Sequence, residues 1–270
     1  MRSKWRVFAL GSRTYYWSSL FFPRSVRSEV ATLYAFVRVA DDFVDQTPQD
    51  VDGFEAFYAD YTRALKAPVG IPIIDDFVSL LRKRSFEESW VEAFFSAMRS
   101  DLGEVDFVDV DSLLEYVYGS AEVVGLMMAR IMQLPAEADE AACLLGRSMQ
   151  MINFVRDVQE DNLLGRTYLP ASWRGSLTDL TESSARESPD AFVNCVSVAL
   201  DTYVDWYEQA RAGFSFIPFR CLVPIRTAAD MYLWTAQRIR KDPFVVFNKK
   251  VKPSKLRVLV AGIKNTFLRV

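Results

Sequence analysis

Two stretches decide how this chain reads: Tyr34-Ala-Phe-Val-Arg38-Val-Ala-Asp41-Asp42-Phe-Val-Asp45 and Gln150-Met-Ile-Asn153-Phe-Val-Arg156-Asp157-Val-Gln-Glu160-Asp161. On a helix each residue advances about 100°, so Asp41 and Asp45 lie about 40° apart, as do Asp157 and Asp161. Tyr34 and Asp45 are separated by about three turns plus 20°, and Gln150 and Asp161 share that separation. Each stretch therefore carries a polar stripe about 16 Å long that ends in two carboxylates one turn apart. The residues between are core-like: Phe36, Val37, Val39 and Phe43 in the first stretch, Met151, Ile152 and Phe154 in the second. One such pair of aspartates on a solvated helix is ordinary. Two pairs in matching phase, each with an embedded arginine, are not.

Carboxylates at i and i+4 repel, and burying them unpaired is costly, so cations must compensate them. The 270 residues contain no His, and Cys143, Cys195 and Cys221 are scattered without a Cys-x-x-Cys spacing. That excludes Ser-His-Asp and Cys-His nucleophile pairs, His-ligated metals, zinc knuckles and iron–sulfur clusters. Hard oxygen ligands alone select Mg²⁺, or Mn²⁺ in its place, a cation that keeps waters and bridges phosphate oxygens. Arg38 and Arg156 suit bidentate phosphate contacts. The expected site holds a diphosphate between two facing helices through bridging metal ions.

Around these stripes the chain reads as helix after helix. Half of the residues are hydrophobic and 14% aromatic, so the chain can bury a full core and is not disordered. Eleven Gly and eleven Pro are few for the turns of an all-β or doubly wound protein. Apolar spacing predicts helices over about 24–46, 52–66, 72–84, 87–100, 111–133, 137–163, 188–213, 218–240 and 254–268. Pro218 and Pro224 are expected to start or bend the eighth of these. Residues 165–187 read as the longest loop. With no linker or repeat in view, the chain is expected to be one all-α domain over 1–270.

Charge is uneven. Residues 238–270 hold ten Lys/Arg against one acid, Asp242, in a chain of net charge −3, and the first 28 residues hold six basic groups and no acid. A basic pair of ends on an acidic body suits an anionic ligand or an anionic membrane surface. Nucleic acid is disfavoured because no basic-aromatic binding motif accompanies the charge. No secretory leader or membrane span is read from the sequence. The expectation is a soluble, cytoplasmic protein that attaches peripherally to the inner membrane face.

These segments resemble the squalene/phytoene synthase family of head-to-head prenyl transferases. Gly11-Ser-Arg-Thr-Tyr-Tyr-Trp-Ser-Ser-Leu-Phe-Phe-Pro23 resembles the family's opening segment, and the two acidic stretches resemble its two acidic motifs. Tyr116-Val-Tyr118-Gly-Ser-Ala-Glu-Val-Val-Gly125 resembles a central helix, and Gly165-Arg166-Thr-Tyr168-Leu-Pro170 completes the second motif. The resemblance implies an all-α isoprenoid synthase fold with a central cavity between helices. It implies that Asp41, Asp45, Asn153, Asp157 and Asp161 are on the Mg²⁺ side. Ser12, Arg13, Thr14, Tyr34, Arg38, Gln150, Arg156 and Tyr232 would contact substrate, with catalytic roles for the aspartates, Tyr34 and Tyr118. Two positions depart from the family pattern. Glu122 stands where relatives commonly have Gly, adding an acid near the cavity. Pro243 stands where many have an Arg for a diphosphate, with Lys249 and Lys250 nearby and Lys249 the expected substitute.

The implied reaction joins two prenyl diphosphates through a cyclopropylcarbinyl diphosphate to a linear hydrocarbon. Phytoene from two geranylgeranyl diphosphates is preferred. Squalene or dehydrosqualene from farnesyl diphosphate is the alternative, with NADPH needed only for squalene. A type I terpene cyclase is a further option. A non-catalytic scaffold is a different class altogether, and it would have no need to keep five metal-side groups in phase.

Overall fold

The computed structural model describes residues 3–268; Arg2 and Arg269, two of the basic groups counted above, lie outside the described residues. The chain opens with α1 (Lys4–Gly11) and α2 (Arg13–Ser18), each N-capped by a serine hydroxyl, Ser3 and Ser12. Then come α3 (Arg24–Asp45), α4 (Val51–Ala64), α5 (Pro72–Arg84) and α6 (Glu88–Ser100). A two-residue strand, β1 (Val105–Asp106), precedes α7 (Val110–Val117), which runs through a π-helical segment, Tyr118–Glu122, into α8 (Val123–Ile131). Next are α9 (Asp139–Arg156), α10 (Val158–Leu163) and β2 (Arg166–Thr167), which pairs in parallel with β1. The remainder is α11 (Ala171–Arg174), α12 (Glu182–Glu187), α13 (Pro189–Arg211), α14 (Phe219–Lys241), α15 (Val245–Asn248) and α16 (Lys255–Phe267).

Most predicted helices match within two residues, and four differences are instructive. The short helices α1 and α2 were not expected. Segments of eight and six residues are marginal in isolation, and α1 is stabilised by packing against α3. The helix over 111–133 contains the π segment, and the stretch 165–187 holds β2, α11 and α12 rather than one long loop. The helix over 137–163 breaks at Asp157, whose backbone lies at φ −102°, ψ 10°. Its N–H still donates to the Asn153 carbonyl, and the Asp161 N–H to the Asp157 carbonyl, both at 2.9 Å. The one-turn register, and with it the polar stripe, survives the break.

α3 is the helix with two loyalties. Leu33, Phe36, Ala40 and Val44 are buried in the core, where the Phe36 ring stacks on Phe77 at 3.7 Å and meets Phe57, Tyr61 and Phe95. Rings in such contact add about 0.5–1.5 kcal/mol each beyond their area. This aromatic mass immobilises the back of α3 and so fixes the direction of its polar stripe. The hydrophobic core is continuous from Phe8 to Val251.

On the far side, the π segment and α8 lie against α9 at very close range. A Cβ on Gly125 would come within 2.3 Å of the Ala142 carbonyl, and one on Gly146 within 2.6 Å of the Ala121 carbonyl. The two glycines thus let the backbones of both helices touch. Gly125→Ala should lower stability by about 1–3 kcal/mol through overpacking, although alanine is the better helix former by about 1 kcal/mol. The shift in urea midpoint checks this, and an unchanged midpoint would remove the close contact as a constraint.

Candidate active site

The faces left over from core packing enclose a cavity of about 450 Å³, walled by parts of α2, α3, α8, α9, α10 and α14. Of the residues expected at the site, Ser12, Arg13, Thr14, Tyr34, Arg38, Asp41, Asp45, Gln150, Asn153, Arg156, Asp157, Asp161 and Tyr232 all line it. Both acidic stripes therefore meet one space. Val37, Val124, Met128, Leu145, Met149 and Ile225 supply apolar wall.

The charges are compensated unequally. Asp157 is gripped by the Arg156 guanidinium, whose Nε donates to Oδ1 at 2.8 Å, and by the Lys250 ammonium at 3.1 Å. Burial pushes the Asp157 carboxyl up, but these two cations outweigh it and hold the group below the usual carboxylate range. Asp45 accepts from Arg166 Nη1 at 2.9 Å, with Arg38 farther off at 3.9 Å; Arg38 pairs with Asp42 at 2.7 Å. Asp41 and Asp161 have no ion-pair partner among the described residues. Burial, reinforced by Asp45 beside Asp41 and by Asp157 beside Asp161, pushes each of them up to about 8.

Two expected site residues lie elsewhere. Tyr118 does not line the cavity: it is 41% exposed on the π segment, while Tyr116 and Ser120 of the same run face inward. Two positions along a helix is roughly 200° of rotation, so the neighbouring tyrosine was the inward one. Lys249 is exposed in extended backbone, and Lys250 and Lys252 approach the site instead. Alternation in extended chain sends neighbouring side chains to opposite sides. The extra acid, Glu122, is buried against Arg147 Nε at 2.7 Å and does not line the cavity.

Arg166, Asp101 and Tyr15 were not singled out from sequence. Arg166 is 3% exposed and bonds Asp45, the Val44 carbonyl at 2.5 Å and the Asp101 carbonyl at 3.2 Å, tying the end of α3 to β2. Asp101 accepts from Tyr116 at 2.8 Å and Tyr168 at 2.7 Å; burial raises it to about 6 against the pull of Arg166 and these phenols. The Tyr15 and Tyr232 hydroxyls meet at 2.7 Å. Arg166 and Tyr168 sit two apart in the Gly165–Pro170 motif, and that spacing in extended chain was the available signal.

Three features suit a divalent cation. Asn153 Oδ1 is buried without a hydrogen-bond partner, Asp41 and Asp161 lack counter-ions, and every oxygen on offer is a hard donor. Among the described residues no three acidic side chains are grouped closely enough to hold a metal ion as they stand, and Arg166 pairs with Asp45 and Lys250 with Asp157. A bound cation would share or displace these contacts.

The raised carboxyls carry a sign for stability. Free aspartates ionise near pH ~4, so between there and about 8 folded Asp41 and Asp161 hold protons that the unfolded chain has lost. The metal-free protein should therefore lose stability as pH rises through that window, with the full penalty above it. Asp41→Asn should flatten the fall. Urea midpoints across the range check this; a midpoint that climbs with pH would contradict it.

Comparison with known proteins gives the site its relatives. A 15-cis-phytoene synthase from a Paracoccus species is 30% identical over 263 residues, covering 91% of this chain and 84% of its own. One from Enterobacter agglomerans is 28% identical over 270 residues, covering 94% and 91%. Among solved structures, a dehydrosqualene synthase in complex with ligand superposes with TM-score 0.85 at 22% identity over 97% of this chain and 93% of its own. The squalene synthase of Alicyclobacillus acidocaldarius superposes with TM-score 0.78 at 20% identity over 88% and 92%. The expected all-α isoprenoid synthase fold is thus the observed one. The sequence pattern of the squalene/phytoene synthases matches residues 8–257, so this chain belongs to the squalene/phytoene synthase family.

Proposed function

We propose that this protein condenses two prenyl diphosphates head to head, and that the pair is two geranylgeranyl diphosphates giving phytoene. The observation that carries the reading is the meeting of two carboxylate stripes on the wall of one cavity that also has extensive apolar wall. The phytoene synthases among its relatives favour the C20 substrate.

Asp41, Asp45, Asn153, Asp157 and Asp161 would hold Mg²⁺, which when bound supplies positive charge to the departing diphosphate. Arg38 and Arg156, paired here with Asp42 and Asp157, would turn guanidinium donors to the same anion, with Ser12, Thr14 and Gln150 as neutral partners. The allylic C–O bond breaks, the electron pair leaves with diphosphate, and an allyl cation remains. Val37, Val124 and Met149 keep water from capturing it, and the π faces of Tyr34 and Phe154 favour positive charge. The double bond of the second substrate attacks and a proton is lost, closing a cyclopropane. Loss of the second diphosphate, rearrangement and a final proton loss then yield the hydrocarbon. Tyr15 and Tyr232, with hydroxyls 2.7 Å apart, stand at the same wall to orient the chain or accept a hydrogen bond.

Such substrates and products are lipids, and the basic N- and C-terminal segments suit peripheral attachment at an anionic membrane surface. Among the described residues no helix is long and apolar enough to cross a membrane.

Incubation with Mg²⁺ and geranylgeranyl or farnesyl diphosphate, with and without NADPH, and mass spectrometry of the hydrocarbon test this directly. Phytoene is expected. Squalene or dehydrosqualene from farnesyl diphosphate would favour the C15 reading, and no diphosphate release from either would reject catalysis. Asp157→Asn should cut turnover by at least about 100-fold, the upper end of what even outer metal-site groups contribute, while far-UV circular dichroism stays helical. Retained turnover would count against a metal role for Asp157.

A further inference from the structure

α16 is amphipathic in an unusual sense: its buried and its exposed faces are both apolar in part. Val258, Gly262 and Asn265 face inward, where Asn265 Nδ2 donates to Asp230 at 2.7 Å and to Thr227 at 3.2 Å on α14. On the opposite face Leu256, Val260, Ile263 and Phe267 are 67%, 56%, 55% and 81% exposed. At about 100° per residue these four fall within an arc of about 60°, a stripe roughly 16 Å long. No core packing accounts for it.

Basic groups flank the stripe. Lys255 lies on one side, Arg257 and Lys264 on the other, about 70–110° from its centre. The helix contains no acid. Arg257 is held over the Trp234 ring at 4.8 Å, and Lys255 and Lys264 have no ion-pair partner among the described residues. Apolar side chains pointing straight out between rows of cations are complementary to a bilayer surface, with acyl chains below and anionic headgroups at the rim. A second copy of the chain fits less well. Self-pairing would bring like charges together, and a footprint of about 16 by 10 Å is far below the roughly 800 Å² per partner that stable dimers bury.

The start of α14 adds exposed apolar and basic groups near one end of the stripe. Arg226 of α14 donates to the Leu268 carbonyl at 3.3 Å while Trp234 meets Arg257, so α14 runs antiparallel to α16. The start of α14, with Phe219 42% exposed and Arg220 beside it, therefore lies toward the Phe267 end. α16 packs on α2 and α14, and both of those helices wall the cavity.

We infer that the outer face of α16 is a membrane-docking surface that inserts Leu256, Val260, Ile263 and Phe267 into an anionic bilayer interface, directly behind two walls of the prenyl cavity. This deepens the peripheral attachment proposed above by adding an inserted apolar component to the electrostatic one.

The test uses the full chain with vesicles of phosphatidylcholine, with or without a third of phosphatidylglycerol. Cosedimentation is measured at low salt and at ~1 M salt, where charge is screened beyond ~3 Å. The wild type should bind the anionic vesicles, lose part of that binding in high salt and keep the rest. Ile263→Asp/Phe267→Asp should lower the partition at least tenfold, with no fall in melting temperature because both side chains face outward. Lys255→Gln/Lys264→Gln should weaken binding only at low salt. The inference would be overturned by full vesicle binding by the aspartate variant, or by a wild type that light scattering finds dimeric without vesicles while that variant is monomeric. Complete loss of wild-type binding in high salt would also overturn it, leaving attachment purely electrostatic. Hydrocarbon formation is read separately, so a failed reaction does not disguise itself as failed docking.

Discussion

Carboxylates can line a water-poor cavity only if something offsets their charge, and most of the architecture around this site follows from that requirement. Arg166 is drawn almost wholly out of solvent to meet Asp45, and in doing so it bonds the carbonyls of Val44 and Asp101. Arg156 and Lys250 offset the charge of Asp157. Two phenols, Tyr116 and Tyr168, serve Asp101. Asp41 and Asp161 are left without such partners, and burial raises both. The protein thus neutralises part of its acidic wall from within and leaves a deficit suited to a cation that arrives with an anionic ligand.

Holding that wall in place is the work of packing on the other side. The stacked and edge-on rings behind α3 leave it no freedom to rotate, so the directions of Tyr34, Arg38, Asp41 and Asp45 are set by Phe36, Phe57, Phe77 and Phe95. The backbone contact at Gly125 and Gly146 likewise seats α9 against the π segment and brings Gln150 and Asn153 to the same space. A rigid, close-packed shell is what lets polar groups remain pointed into a cavity.

The two ends of the chain join this shell to its surroundings. α2 contributes Arg13 and Thr14 to the cavity and at the same time seats α16, whose outward face is apolar and basic. One short helix therefore has the substrate space on one side and the surface helix on the other. If that face docks on a bilayer as inferred above, such adjacency would shorten the path between bilayer and cavity.

Much of this was legible in order along the chain. Helix positions, the all-helical class and the matching phase of the two acidic stripes come from period and residue type, which are local properties that the folded protein preserves even through the break at Asp157. The exclusion of histidine and cysteine chemistry needed only counting. What required the tertiary structure was pairing across distance and the choice between neighbours. Sequence separates Lys250 from Asp157 by 93 positions and Arg166 from Asp45 by 121, so no periodicity could announce those contacts. Helical rotation decided that Tyr116 rather than Tyr118 faces inward, and extended backbone at Lys249 turned Lys250 toward Asp157 instead. Residue spacing determines which side chains share a face; only the packing of one face against another decides what that face meets.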